Sequence, residues 1–113
     1  MSTQTAVLIP GDGIGPDITK AVRRVLDAAG ADIQWIEHQA GVAALTSGED
    51  VLPQSTTDAI VEHKIALKGP CTTPVGKGFS SVNVQLRKKL NLYAAVRPVR
   101  SLPGVPTRYE DVD

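Results

Sequence analysis

An unbroken apolar run, Thr5-Ala6-Val7-Leu8-Ile9, passes through a glycine turn into a proline-started amphipathic stretch, and this succession constrains the fold most. Continuous rather than alternating hydrophobicity is the mark of a strand covered on both faces, as in a parallel sheet. The loop Pro10-Gly11-Asp12-Gly13-Ile14-Gly15 permits a sharp turn, and Pro16 suits the first helical position, where its missing N–H costs nothing. Ile18, Ala21, Val22, Val25, Leu26 and Ala29 then recur at spacings of three and four. Lys20, Arg23, Arg24 and Asp27 take the other face, and Gly30 ends the helix. Ile33 to Glu37 supplies a second strand. Residues 5–37 therefore read as a strand–helix–strand unit.

The alternation continues. Residues 41–48 read as a short helix and 53–64 as a longer one with Ile60 and Val61 inward. Ile65-Ala66-Leu67 reads as a short buried strand, 82–90 as a helix, and 92–96 as a closing strand. Strands and helices in alternation, without repeats or low complexity, predict an α/β fold. The turn-rich stretch Ser101-Leu102-Pro103-Gly104-Val105-Pro106 is a connector followed only by a short polar tail, so the chain is expected to be the first part of something longer.

Charge and cysteine usage narrow the function. Twelve basic and twelve acidic residues cancel, and the isoelectric point near 6.7 argues against broad binding to nucleic acid or to an anionic membrane. Arg87-Lys88-Lys89 is too short a basic run to change that. The single Cys71 excludes an internal disulfide and a cysteine-rich zinc site. No apolar stretch approaches the ~20 residues of a membrane span, so a protein of the cytoplasm or an organelle matrix is expected.

Three motifs bear on chemistry. Gly11, Gly13 and Gly15 after a strand resemble a dinucleotide fingerprint, with Glu37 ending the next strand where a ribose-binding acid would lie. The sixth position is Pro16, where that fingerprint needs Gly or Ala for close helix–strand packing; the glycines equally suit a plain tight turn. The loop from Lys68 to Gly78 follows a strand end, where open α/β sheets bind ligands; Thr72 and Thr73 offer hydroxyls there, or simply decorate a rigid connector. Cys71 has no histidine pattern beside it, and His38 and His63 read as structural.

The third motif is Ser81-Val82-Asn83-Val84-Gln85-Leu86-Arg87 with Arg97 beyond it. Ser81 stands at a helix N-cap, Val82, Leu86 and Leu90 form one stripe, and Asn83 and Arg87 emerge one above the other beside it. A helix N-terminus favours an anion, and a guanidinium matches a carboxylate bidentately. The cluster would suit a di- or tricarboxylate; a plain cap with solvated arginines is the alternative.

Taken in order, Ile9 to Pro16, Lys68 to Gly76, Ser81 to Arg87 and Leu92-Tyr93-Ala94-Ala95-Val96-Arg97-Pro98 resemble the isocitrate/isopropylmalate dehydrogenases, over nearly the whole chain. The resemblance implies that family's three-layer α/β fold, with residues 1–100 the N-terminal part of its large domain and 101–113 leading toward a smaller one. It implies oxidative decarboxylation of a 2-hydroxy acid, here isocitrate, with NAD (or NADP) and Mg²⁺ or Mn²⁺, in a homodimer or larger assembly. By the same resemblance Ser81, Asn83, Arg87 and Arg97 would hold substrate carboxylates, and Thr72, Thr73 and Ile14 would lie along the cofactor. Ser81 and Asn83 favour isocitrate, because an isopropyl group in place of the third carboxylate would leave both unpaired, a loss of roughly 1–3 kcal/mol each if buried. The family's catalytic Tyr and Lys and its metal-binding aspartates have no counterpart here, so no catalytic residue is expected within these positions. A 3-isopropylmalate- or tartrate-type dehydrogenase, and a non-catalytic regulatory subunit binding citrate-like anions, are the alternatives.

Overall fold

The computed structural model describes residues 3–72, 78, 80–109 and 112. Its elements in order are β1 (Gln4–Ile9), α1 (Gly15–Ala28), β2 (Ile33–Glu37), α2 (Val42–Thr46), α3 (Gln54–His63), β3 (Ala66–Lys68) and α4 (Val82–Lys89). The three strands form one parallel sheet in the order β2-β1-β3. In register, Gln4 lies opposite Ile33 and Leu8 opposite Glu37 on one side; Val7 lies opposite Ala66 and Ile9 opposite Lys68 on the other. The α/β expectation is met.

The central strand explains the unbroken apolar run. Val7 and Ile9 point into a core with Ala40, Val51, Leu52, Ala59, Val82 and Leu86, while Ala6 and Leu8, on the opposite face, are buried as well. Burial on both faces removes any place for a polar residue between them. Two buried threonines are satisfied locally: Thr56 Oγ1 donates to the Gln39 carbonyl at 2.8 Å and Thr57 Oγ1 to the Gln54 carbonyl at 2.8 Å.

Four expectations need correction. α1 forms with Pro16 in its first turn, but it meets the sheet along Gly15, Thr19, Val22 and Leu26. Ile18 and Val25, on the outer edge of the same stripe, are exposed, Val25 by 67%. The sequence stripe is wider than the contact. In α3, Val61 faces out at 62% exposure while Ile60 packs on the core; neighbouring residues on a helix are a hundred degrees apart, so a narrow contact keeps only one. β3 starts one residue later than expected and is only partly covered, with Ile65 exposed. It is an edge strand with β1 as its one neighbour.

The fourth correction is the closing strand. Residues 92–100 have no regular structure and are exposed throughout, Tyr93 fully so at 101%. The β-rich composition is real, but a strand exists only through a ladder, and no described strand pairs with this segment. Beyond it, the Ser101 N–H donates to the Val112 carbonyl at 2.9 Å and the Val112 N–H to Ser101 Oγ at 3.0 Å, which folds the terminal stretch back on itself. No helix among the described residues is long and apolar enough to cross a membrane.

Candidate functional site

The start of α4 forms as its sequence requires. Ser81, with φ −58° and ψ 146°, is the N-cap, and its Oγ accepts the Val84 N–H at 3.2 Å. A hydroxyl has one proton and two lone pairs, so the cap leaves the Ser81 O–H free to donate elsewhere. Val82 and Leu86 anchor the helix in the core. That rotation sends Asn83 and Arg87 to the surface on one side.

There they meet β3. An open hollow of about 530 Å³ lies between α3, β3 and α4, lined by Ile9, Ile60, Ala66, Leu86, Leu90 and Leu92 together with Lys68, Asn83 and Arg87. Its floor is apolar and its polar rim carries two cations and an amide. Lys68 is held there by donating from Nζ to the Gly69 carbonyl at 2.7 Å. The geometry thus brings together Asn83 and Arg87, as the sequence predicts, and adds Lys68. It does not bring in Arg97, which sits on the exposed 92–100 segment, outside the lining of this hollow.

The loops at the carboxyl ends of β1 and β3 make a second corner. The Asp12 N–H donates to the Pro70 carbonyl at 2.7 Å and the Gly69 N–H to the Ile9 carbonyl at 2.8 Å. The approach is close enough to forbid side chains: a Cβ on Gly11 would stand 2.0 Å from the Pro70 oxygen, and one on Gly69 2.0 Å from the Pro10 oxygen. These glycines are used in loop-to-loop packing. Gly13, by contrast, has nothing within 4 Å of where a Cβ would stand, and Pro16 remains the position at which the turn departs from the ordinary dinucleotide fingerprint. Glu37, the residue that reading would need, lines a hollow of about 490 Å³ with Pro10, Gly11 and Pro16 of the same turn and with Lys20 and Arg23.

Asp12 is the residue that sequence reasoning missed. Its Oδ2 accepts the Val42 N–H at 2.9 Å and the Thr72 N–H at 2.6 Å, and its Oδ1 accepts the Ala43 N–H at 2.8 Å. One carboxylate therefore caps α2 and ties the Thr72 loop to the glycine loop. A signal existed: α2 opens at Gly41, with no Ser, Thr, Asp or Asn of its own at the cap. Thr72 and Ile14 are both exposed on either side of this corner, Ile14 by 67%. Thr73, the other expected cofactor contact, lies outside the described residues.

Cys71 is half-buried beside the same corner. Burial pushes its thiol above the usual range; Lys68 opposes that shift and Asp12 adds to it. A thiol held protonated is a poor nucleophile, which agrees with the structural role expected of it. Among the described residues no group of three or more His, Cys, Asp or Glu side chains could hold a metal ion.

Comparison with known proteins places the whole stretch in one family. The family model described as isocitrate/isopropylmalate dehydrogenase matches residues 5–112. The chain is 50% identical over 109 residues to the protein named isocitrate dehydrogenase [NAD] catalytic subunit 5, mitochondrial, of Arabidopsis thaliana, covering 96% of this chain and 29% of that one. It is 47% identical over 108 residues to the chloroplastic 3-isopropylmalate dehydrogenase of Solanum tuberosum, covering 96% and 30%. Among solved structures, an isocitrate dehydrogenase from Methylococcus capsulatus superposes with a TM-score of 0.86 at 50% identity, covering 96% of this chain and 32% of that one. The chain thus spans under a third of the length of these relatives. With a match over nearly every position and the same arrangement of strands and loops, the chain belongs to the isocitrate/isopropylmalate dehydrogenase family, whose members are decarboxylating dehydrogenases.

Proposed function

We propose that this chain forms the N-terminal part of a large domain in an isocitrate dehydrogenase, with residues 101–113 leading out of that domain. The reaction is oxidative decarboxylation of isocitrate to 2-oxoglutarate and CO₂, with NAD reduced to NADH. The observation that carries the reading is the polar rim of Lys68, Asn83 and Arg87 around the start of α4, next to a Ser81 whose proton is free to donate. Two cations and two neutral donors match a substrate with three carboxylates. Arg97, on the exposed 92–100 segment, would join them in the complete protein.

The roles divide cleanly. Ser81 and Asn83 hydrogen-bond the carboxylate that distinguishes isocitrate, and Arg87 and Arg97 grip the others. Fixing three carboxylates orients the C–H bond of the hydroxyl-bearing carbon, and orientation of this kind is the contribution of these residues to rate. Thr72, Thr73 and Ile14 would line the nicotinamide side, and the exposed positions of Thr72 and Ile14 suit an extended ligand lying across the loops. When bound, the dinucleotide accepts the hydride. Proton transfer falls to residues outside this chain, since neither Tyr93 nor Tyr109 matches the family's acid. The family's divalent cation, Mg²⁺ or Mn²⁺, finds no donor set among the described residues, and no step is drawn through it.

A second reading, a 3-isopropylmalate-type dehydrogenase, is favoured by one observation: the floor of the hollow, with Ile60, Leu86, Leu90 and Leu92, would accept an isopropyl group. Ser81 and Asn83 weigh against it, because donors desolvated against hydrocarbon on binding would lose their partners. The protein is assigned to a soluble compartment, cytoplasm or mitochondrial matrix, as a homodimer or larger assembly. Steady-state kinetics of Arg87→Ala test the proposal. The variant should lose at least about a hundredfold in kcat/KM for isocitrate, the scale of a buried charge-assisted contact; an unchanged value would remove Arg87 from the site.

A further inference from the structure

We infer that Asp12 is a positioning residue: its carboxylate sets the backbone of the Thr72 loop, and so the nicotinamide side of the site. The inference rests on the proposed role of Thr72 and adds to it the group that holds Thr72 in place. Asp12 is 60 positions away in sequence, yet its Oδ2 accepts the Thr72 N–H at 2.6 Å. The same oxygen accepts the Val42 N–H at 2.9 Å, and Oδ1 takes the Ala43 N–H at 2.8 Å. Three backbone donors from two separate segments converge on one side chain. Space around it is fixed too, since a Cβ on Gly41 would stand 2.2 Å from Oδ2.

The chemistry requires a carboxylate. Ionised Asp is acceptor-only, with about four lone-pair sites on two oxygens, and hydrogen bonds to a charged acceptor are stronger than neutral ones. Asn has the same shape but one acceptor oxygen. Whichever way its amide is turned, an NH₂ group faces a backbone N–H, so either Ala43 or the Val42 and Thr72 pair loses its partner. Even turned to keep its oxygen toward Val42 and Thr72, the Asn trades a charged acceptor for a weaker neutral one, so Asp12→Asn loosens the hold on the Thr72 loop without removing any group that touches substrate or cofactor.

The test is a split in kinetic constants, measured on the complete protein with NAD and isocitrate varied in turn. Asp12→Asn should raise the KM for NAD by roughly tenfold or more, the ratio that follows from one lost charge-assisted hydrogen bond, with the KM for isocitrate unchanged. A merely structural role would lower kcat through the folded fraction and leave both KM values alone, and that result overturns the inference. Thr72→Ala separates the inference from its premise. If Thr72→Ala raises the KM for NAD and Asp12→Asn does not, Asp12 has no positioning role. If Thr72→Ala leaves the KM for NAD unchanged, the nicotinamide reading of Thr72 fails and the inference falls with it. Should Asp12→Asn not fold, the wild-type protein supplies the answer by NMR. NAD should shift the amide resonances of Val42, Ala43 and Thr72 together; movement of Thr72 alone would show that the carboxylate does not couple them.

Discussion

Ser81 performs two tasks that substitutions can separate. As an N-cap its Oγ accepts the Val84 N–H, and in the proposed ligand role its proton would face the anion. Asp caps a helix as well as Ser does, whereas Ala does not. Ser81→Ala should lower stability by about 1 kcal/mol in urea unfolding. Ser81→Asp should keep that stability yet abolish isocitrate binding, because a second negative charge would face the substrate. Equal loss of stability in both variants, or retained binding in Ser81→Asp, would contradict the double role. The cap was legible from Ser81 and its apolar stripe alone. The anchoring carboxylate of Asp12 was legible only as a gap, the missing cap residue at Gly41; which side chain fills it was not, because Val42, Ala43 and Thr72 donate from the backbone.

At the scale of elements, the helix ends differ in how well they are made. α1 closes normally before Gly30, but α3 closes on Lys64, which takes φ 63° in the left-handed region. That conformation costs a side-chain-bearing residue roughly 1–2 kcal/mol, part of which glycine returns as extra freedom in the unfolded chain. Lys64→Gly should therefore stabilise the protein by about 0.5 kcal/mol, read as a higher urea midpoint at constant slope; a lower midpoint would mean that Lys64 makes a compensating interaction. Elements with a complete local pattern were legible: β1 from its unbroken apolar run, α1 from Pro16 and its period, α4 from Ser81. The segment 92–100 was misread for the opposite reason. Leu92, Tyr93 and Val96 state a preference for a strand, but a strand is made by its neighbour, and the neighbour is not written in the same residues.

The whole molecule shows which surfaces its own residues leave uncovered. Ile18, Val25, Val61 and Ile65 are exposed on the outer helices and the β3 edge, and Tyr93, Val96 and Val99 along the extended segment. The Trp35 indole N–H is buried without an acceptor among the described residues. Exposed apolar positions spread over several elements accord with relatives more than three times as long. The family, the three strands and the shared side of Asn83 and Arg87 were legible in the sequence; Lys68 joined that pair only through the fold, since a 15-residue separation from Asn83 carries no periodicity. The claim on which all of this depends is that the rim around α4 selects a third carboxylate over a hydrocarbon group. The direct measurement is the ratio of kcat/KM for isocitrate to that for 3-isopropylmalate in the purified protein. The account predicts a ratio of at least about a hundred, collapsing when Ser81 and Asn83 are both replaced by alanine; equal turnover of the two acids, or preference for 3-isopropylmalate, would contradict it.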